Sequence, residues 1–189
     1  MELKAVMYAK LFYNYLQGIC QRLEEEKLWQ ASGQSKMSIS EILRYDVAKF
    51  MLYVSSGDGR LSDEHMMMYQ IVTGYTGAQE QLHEWLCQHQ IYTKDFSVTV
   101  PMTFKIISES EQYATARGIC FDTQEPISDL FASFFRMIGN ILFCDHRPQS
   151  TPYDITAYRK THNGFEKEPY DTMKEFYTLI DRLTNQETV

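Results

Sequence analysis

Tyr53-Val54-Ser55-Ser56-Gly57-Asp58-Gly59-Arg60-Leu61-Ser62-Asp63-Glu64-His65 reads as a helix end, a tight loop and a helix start, and this grammar sets the fold class. Gly57 and Gly59 flank Asp58, so the backbone tolerates positive φ there and the aspartate can bond nearby amides. Ser62 is placed to cap the next helix, with Asp63 and Glu64 in the first turn, beside the positive end of its dipole. The loop is not a calcium EF-hand. With Gly59 at the sixth position, Asp58 falls at the fifth and Ser56 at the third, but Val54 and His65 occupy the first and twelfth, where carboxylates are needed.

Working outward, Ser38-Ile39-Ser40-Glu41 has capping-box spacing, and Ile39, Leu43, Val47, Phe50 and Val54 form an apolar stripe leading into the loop. Ala31 to Met37 reads as a loop. Before it, the spacing predicts a first helix from Leu3 to Trp29, with Leu3, Met7, Leu11, Tyr15, Ile19 and Leu23 as its apolar stripe. Downstream of Ser62, one helix runs to Val72 and stops at Gly74, and another spans Ala78 to His89. Phe96, Val98 and Val100 alternate like a strand, yet a lone strand has nothing to pair with. Pro101 is therefore read as opening a helix that carries Met102, Ile106, Ile107 and Tyr113 and ends at Gly118.

After Pro126 and Ser128, the apolar residues Leu130, Phe131, Phe134, Phe135, Ile138, Ile141 and Leu142 wrap nearly round their helix, which places it centrally in the core. Two more helices are expected, one from Pro152 to Gly164 and one from Pro169 with Met173, Phe176, Tyr177, Ile180 and Leu183 on one face. The expected fold is all-α: a single compact bundle of about seven or eight helices, with residues 1–189 as one domain.

A chain of 189 residues with 44% hydrophobic content can bury a sizeable core without disulfides. Its 18 Lys and Arg against 25 Asp and Glu give a formal charge of -7, which argues against nucleic acid as a partner. The Leu130–Phe143 run is broken by Arg136 and is too short to span a bilayer, so no membrane insertion is expected. Met1-Glu2-Leu3-Lys4 begins an amphipathic pattern, not a signal peptide, and the expected location is cytoplasmic. Cys20, Cys87, Cys120 and Cys144 are widely spaced, as reduced thiols would be. With 13 Tyr and 11 Phe, large rings supply much of the packing. Met66, Met67 and Met68 must point different ways on a helix, at least one of them outward.

The motif from Phe50 to Glu64 resembles the TerB-like family, with its helix, Asp-Gly turn and acidic helix start. Ile91 to Phe96 through Val100-Pro101-Met102 is similar to a linking segment in such proteins of Gram-positive bacteria, and Phe143-Cys144-Asp145 resembles their second acidic loop. The likeness covers roughly residues 40–165. Met51-Leu52-Tyr53 and Gly74-Tyr75 also lie without gaps on Ile141-Leu142-Phe143 and Gly164-Phe165, as expected of two related halves. The resemblance implies an all-helical fold and a metal site of acidic residues from both loops, nominating Asp58, Glu64 and Asp145. Hard oxygen ligands favour calcium or magnesium there. The second loop departs from the pattern: it has no Asp-Gly pair and contains Pro148 and Pro152.

No nucleophile elbow or phosphate-binding glycine loop occurs, and His83 with Cys87 lacks further ligands. The expected function is a non-enzymatic interaction or sensing module with a protein partner. The alternatives are a metal-dependent hydrolase working between the two acidic loops, or a metal-free partner-binding domain using exposed aromatics and methionines.

Overall fold

The computed structural model describes residues 3–29, 37–55, 61–88, 102–121, 123 and 125–144, with 53–55, 86–88 and 143–144 by backbone alone. These residues form six helices: α1 (Leu3–Glu25), α2 (Ile39–Ser55), α3 (Asp63–Thr73), α4 (Gln79–Gln88), α5 (Met102–Ala116) and α6 (Ile127–Cys144). No strand occurs among them. The helices expected after Pro152 and Pro169, and residues 96–100, lie outside the described residues.

Phe131, Phe134 and Phe135 are completely buried, and α6 packs on α1, α2 and α5. Phe134 meets Phe12 of α1 edge-on at 5.8 Å between ring centroids, while Phe135 meets Phe50 of α2 edge-on at 5.4 Å and Phe104 of α5 at 5.9 Å. Two adjacent rings thus tie three helices to a fourth, the contacts to Phe12 and Phe50 in the edge-to-face arrangement that aromatic quadrupoles favour and the contact to Phe104 tilted at 43°. α3 lies against α1 and α2, burying Met66, Met68 and Tyr69 and leaving Met67 outside. α4 is held by Leu82, by Trp85 edge-on to Tyr45 at 4.8 Å, and by the Gln79 side chain donating to the Leu61 carbonyl at 2.6 Å. No described helix is long and apolar enough to cross a membrane.

Local end signals act as their chemistry dictates. Ser38 and Glu41 form the reciprocal capping box, with the Ser38 amide donating to the Glu41 carboxylate at 2.8 Å and the Glu41 amide to Ser38 Oγ at 3.1 Å. Ser62 accepts from the His65 amide at the start of α3, and Gly74 closes that helix at φ 69°. α5 ends at Gly118, also left-handed at φ 68°, where Ile119 donates to the Ala114 carbonyl at 2.9 Å.

α1 differs from its expected form in two ways. It ends at Glu25, four residues before Trp29, because Lys27 turns left-handed at φ 55° and Leu28 donates back to the Leu23 carbonyl at 2.9 Å. Buried Leu28 and Leu23 supply the apolar contact of this Schellman turn. Its buried face is also another one: Val6, Ala9, Tyr13, Leu16, Cys20 and Leu23 face the core with Ile19, while Leu3, Met7, Leu11 and Tyr15 are exposed. The reason is geometric. At about 100° per residue, each four-residue step rotates by about 40° around the helix, so the series from Leu3 to Leu23 drifts to the opposite side.

Candidate functional site

The helix starts reveal what several acidic residues do. Glu24 of α1 accepts from the Ile39 amide at the start of α2, at a sequence separation of 15. Asp46 of α2 accepts from the Thr103 amide at 2.7 Å and from the Thr103 hydroxyl, holding the start of α5 across a separation of 57. Glu111 of α5 accepts from the Ile127 and Ser128 amides at the start of α6. Each acid offsets orphan amides and the positive dipole end of the helix it meets. A relay of carboxylate caps therefore runs from α1 to α2, from α2 to α5 and from α5 to α6. Asp46 is fully enclosed, and burial pushes its carboxyl up to about 6 even though the Thr103 hydrogen bonds and Lys49 favour the charged form.

Of the nominated metal ligands, Glu64 is exposed in the first turn of α3, while Asp58 and Asp145 lie outside the described residues. Among the described residues no group of three or more His, Cys, Asp or Glu is arranged to hold a metal. His65, adjacent to Glu64, is buried in the α3 interface. Cys20 is a core residue whose thiol is pushed up to about 12, first by burial and then by Glu24, so it is a packing group and not a nucleophile. The partner of His83, Cys87, has no described side chain.

Sequence reasoning missed two surface features. A cleft of about 330 Å³ is lined by Lys27, Leu28, Trp29, Glu109, Ser110 and Tyr113. The second is the outward side of α1, where Leu3 is 65% exposed, Leu11 61%, Tyr8 56%, Tyr15 49% and Met7 45%. Lys4 stands 6.0 Å over the Tyr8 ring at the edge of this face. Gly18 falls between Met7 and Leu11 around the helix, and a Cβ there would meet nothing within 4 Å. An exposed mid-helix glycine costs about 1 kcal/mol relative to alanine. The signal was present in the sequence, since Met7, Leu11 and Tyr15 alternate with Val6, Ala9, Tyr13 and Leu16 so that α1 is apolar on two sides.

No protein-family model, no curated protein and no solved structure matches this chain.

Proposed function

We propose that this chain is a non-enzymatic helical interaction module whose partner surface is the outward face of α1. The observation that carries this reading is the row Leu3, Met7, Tyr8, Leu11 and Tyr15, a contiguous apolar band on a helix whose other side is already committed to the core. A soluble surface gains nothing from such a band unless something covers it. The partner of matching chemistry is an amphipathic helix with apolar anchors at helical spacing and acidic flanks, since Lys4 and Lys10 are the only charges on α1 between Leu3 and Leu16. Glu24, Asp46 and Glu111 are engaged as caps, which leaves them no part as bases.

The TerB-like likeness agrees with the all-helical arrangement and adds a sensing element, a calcium or magnesium ion held by Asp58, Glu64 and Asp145. Glu64 has the exposure a ligand needs. The interaction reading is tested by cross-linking the chain in cell extract, purifying the captured protein and titrating it calorimetrically against the parent and a Leu11→Glu variant. Binding weakened about 30-fold or more, with the circular dichroism melt unchanged, is the expected result. Equal affinity for both would overturn the assignment to α1.

A further inference from the structure

We propose that the cleft between the end of α1 and α5 binds a small aromatic zwitterion, of the class of an aromatic amino acid. The cleft lies past the last turn of α1, at the opposite end of that helix from the Leu3–Tyr15 band, and so stands independently of the partner surface argued above. Both α1 and α5 pack on α2 and α6, and the cleft of about 330 Å³ opens where they do not close on each other.

Two local features build its walls. Lys27 turns left-handed at φ 55° and ends α1, which lays Lys27, Leu28 and Trp29 along one wall in place of a further helical turn. On the other wall, Glu109 and Ser110 stand four and three residues before Tyr113 on α5, so the three share one face of that helix. Arg117, one turn further on, stacks its guanidinium 5.4 Å over the Tyr113 ring and steadies it.

The class of ligand follows from what these walls leave unused. Ser110 is 1% exposed, and its hydroxyl has no hydrogen-bond partner among the described residues. A mid-helix serine can bond back to the carbonyl four residues earlier, but this one does not, and a buried hydroxyl without a partner is costly. A ligand N–H or O–H reaching into the cleft satisfies it. Lys27 and Glu109 are both exposed and opposite in charge, and neither side chain is engaged in an ion pair among the described residues. A ligand carboxylate suits Lys27 and a ligand ammonium suits Glu109, whereas a phosphate would be repelled by Glu109. Trp29 and Tyr113, one from each wall, present rings to a planar ligand, and buried Leu28 adds apolar surface. The volume sits at the low end of the range of about 300–1,000 Å³ for small-molecule sites, which suits one or two rings and not a dinucleotide or a peptide.

The test titrates the full chain calorimetrically with L-tryptophan, and with tryptamine, indole-3-propionate and L-leucine, which lack its carboxylate, its ammonium and its ring. L-tryptophan should bind with a Kd of about 1 mM or tighter, and L-leucine about tenfold more weakly. In amide-proton NMR spectra the indole N–H of Trp29 should shift on binding while that of Trp85, the second tryptophan, stays in place. Ser110→Ala should weaken L-tryptophan about fivefold with the circular dichroism melt unchanged, which separates a ligand contact from a packing role. Lys27→Gln should weaken L-tryptophan about fivefold and leave tryptamine unaffected, while Glu109→Gln should weaken it similarly and leave indole-3-propionate unaffected. No binding of L-tryptophan at about 10 mM, an unmoved Trp29 resonance, L-leucine bound as tightly, or equal affinity in the parent and all three variants would each overturn the proposal.

Discussion

Replacing Asp46 with alanine removes the acceptor that fixes the start of α5 to the middle of α2. The Thr103 amide and hydroxyl both donate to one Asp46 oxygen, and the residue is 2% exposed, so bulk water cannot take over. Loss of a cap costs about 0.5–2 kcal/mol and an unsatisfied buried donor about 1–3 kcal/mol, so Asp46→Ala should destabilise by about 3 kcal/mol at pH 4. Asp46→Asn keeps an acceptor oxygen and discards the charge. Burial raises the carboxyl from 3.8 to about 6, so between these values the folded state holds more protons than the unfolded one. The stability contributed by this group is therefore fully present below pH 3.8 and is lost as pH rises through about 6, a change of about 3 kcal/mol. Urea unfolding of the parent and both variants at pH 4, 5, 6 and 7, followed by circular dichroism, reads this directly. Subtracting the Asn variant cancels the other carboxylates, and the parent's advantage should decline across that range. A flat difference between parent and Asn variant, or an Ala variant within about 0.5 kcal/mol of the parent at pH 4, would refute the assignment of Asp46 as a buried cap.

Lys27→Gly relieves a left-handed lysine at the end of α1 and should stabilise the chain by about 0.5–1 kcal/mol in the same unfolding assay. Phe135→Ala empties the junction of α2, α5 and α6 and should cost about 3–5 kcal/mol, measured as a lowered urea midpoint. If the acidic loops share an ion, calcium or magnesium titration gives one ion per chain in the parent and none in Asp58→Ala or Asp145→Ala, with weakened binding in Glu64→Gln. Absence of binding in the parent at millimolar concentrations removes the cation reading.

The parts of the fold written in short-range chemistry were legible. The Ser38 and Glu41 box, the Ser62 cap and the glycine stops at 74 and 118 each involve partners within five residues, and the all-round apolar pattern of α6 placed it at the centre. Met67 emerges from its row of three, as helical geometry requires. The carboxylate caps were not legible, because Glu24, Asp46 and Glu111 meet amides 15, 57 and 16 residues away and look like ordinary surface acids in sequence. The face of α1 was misread for a different reason. A strict four-residue series drifts around a helix of about 3.6 residues per turn, so Leu3 and Leu23 joined in one stripe point to opposite sides. Correcting that drift turns four residues assigned to the stripe, Leu3, Met7, Leu11 and Tyr15, into the most exposed apolar band on α1.

Whether a partner covers that band is measured most directly by methionine oxidation of the chain alone and of the chain bound to its captured partner. Met7 on α1 is 45% exposed and Met67 on α3 is 49% exposed, so the two thioethers serve as probe and internal reference. Limited peroxide treatment followed by peptide mass spectrometry gives both rates in one sample. The interaction reading predicts similar rates in the chain alone and Met7 oxidising several-fold more slowly than Met67 in the complex, and equal rates in the complex would contradict it.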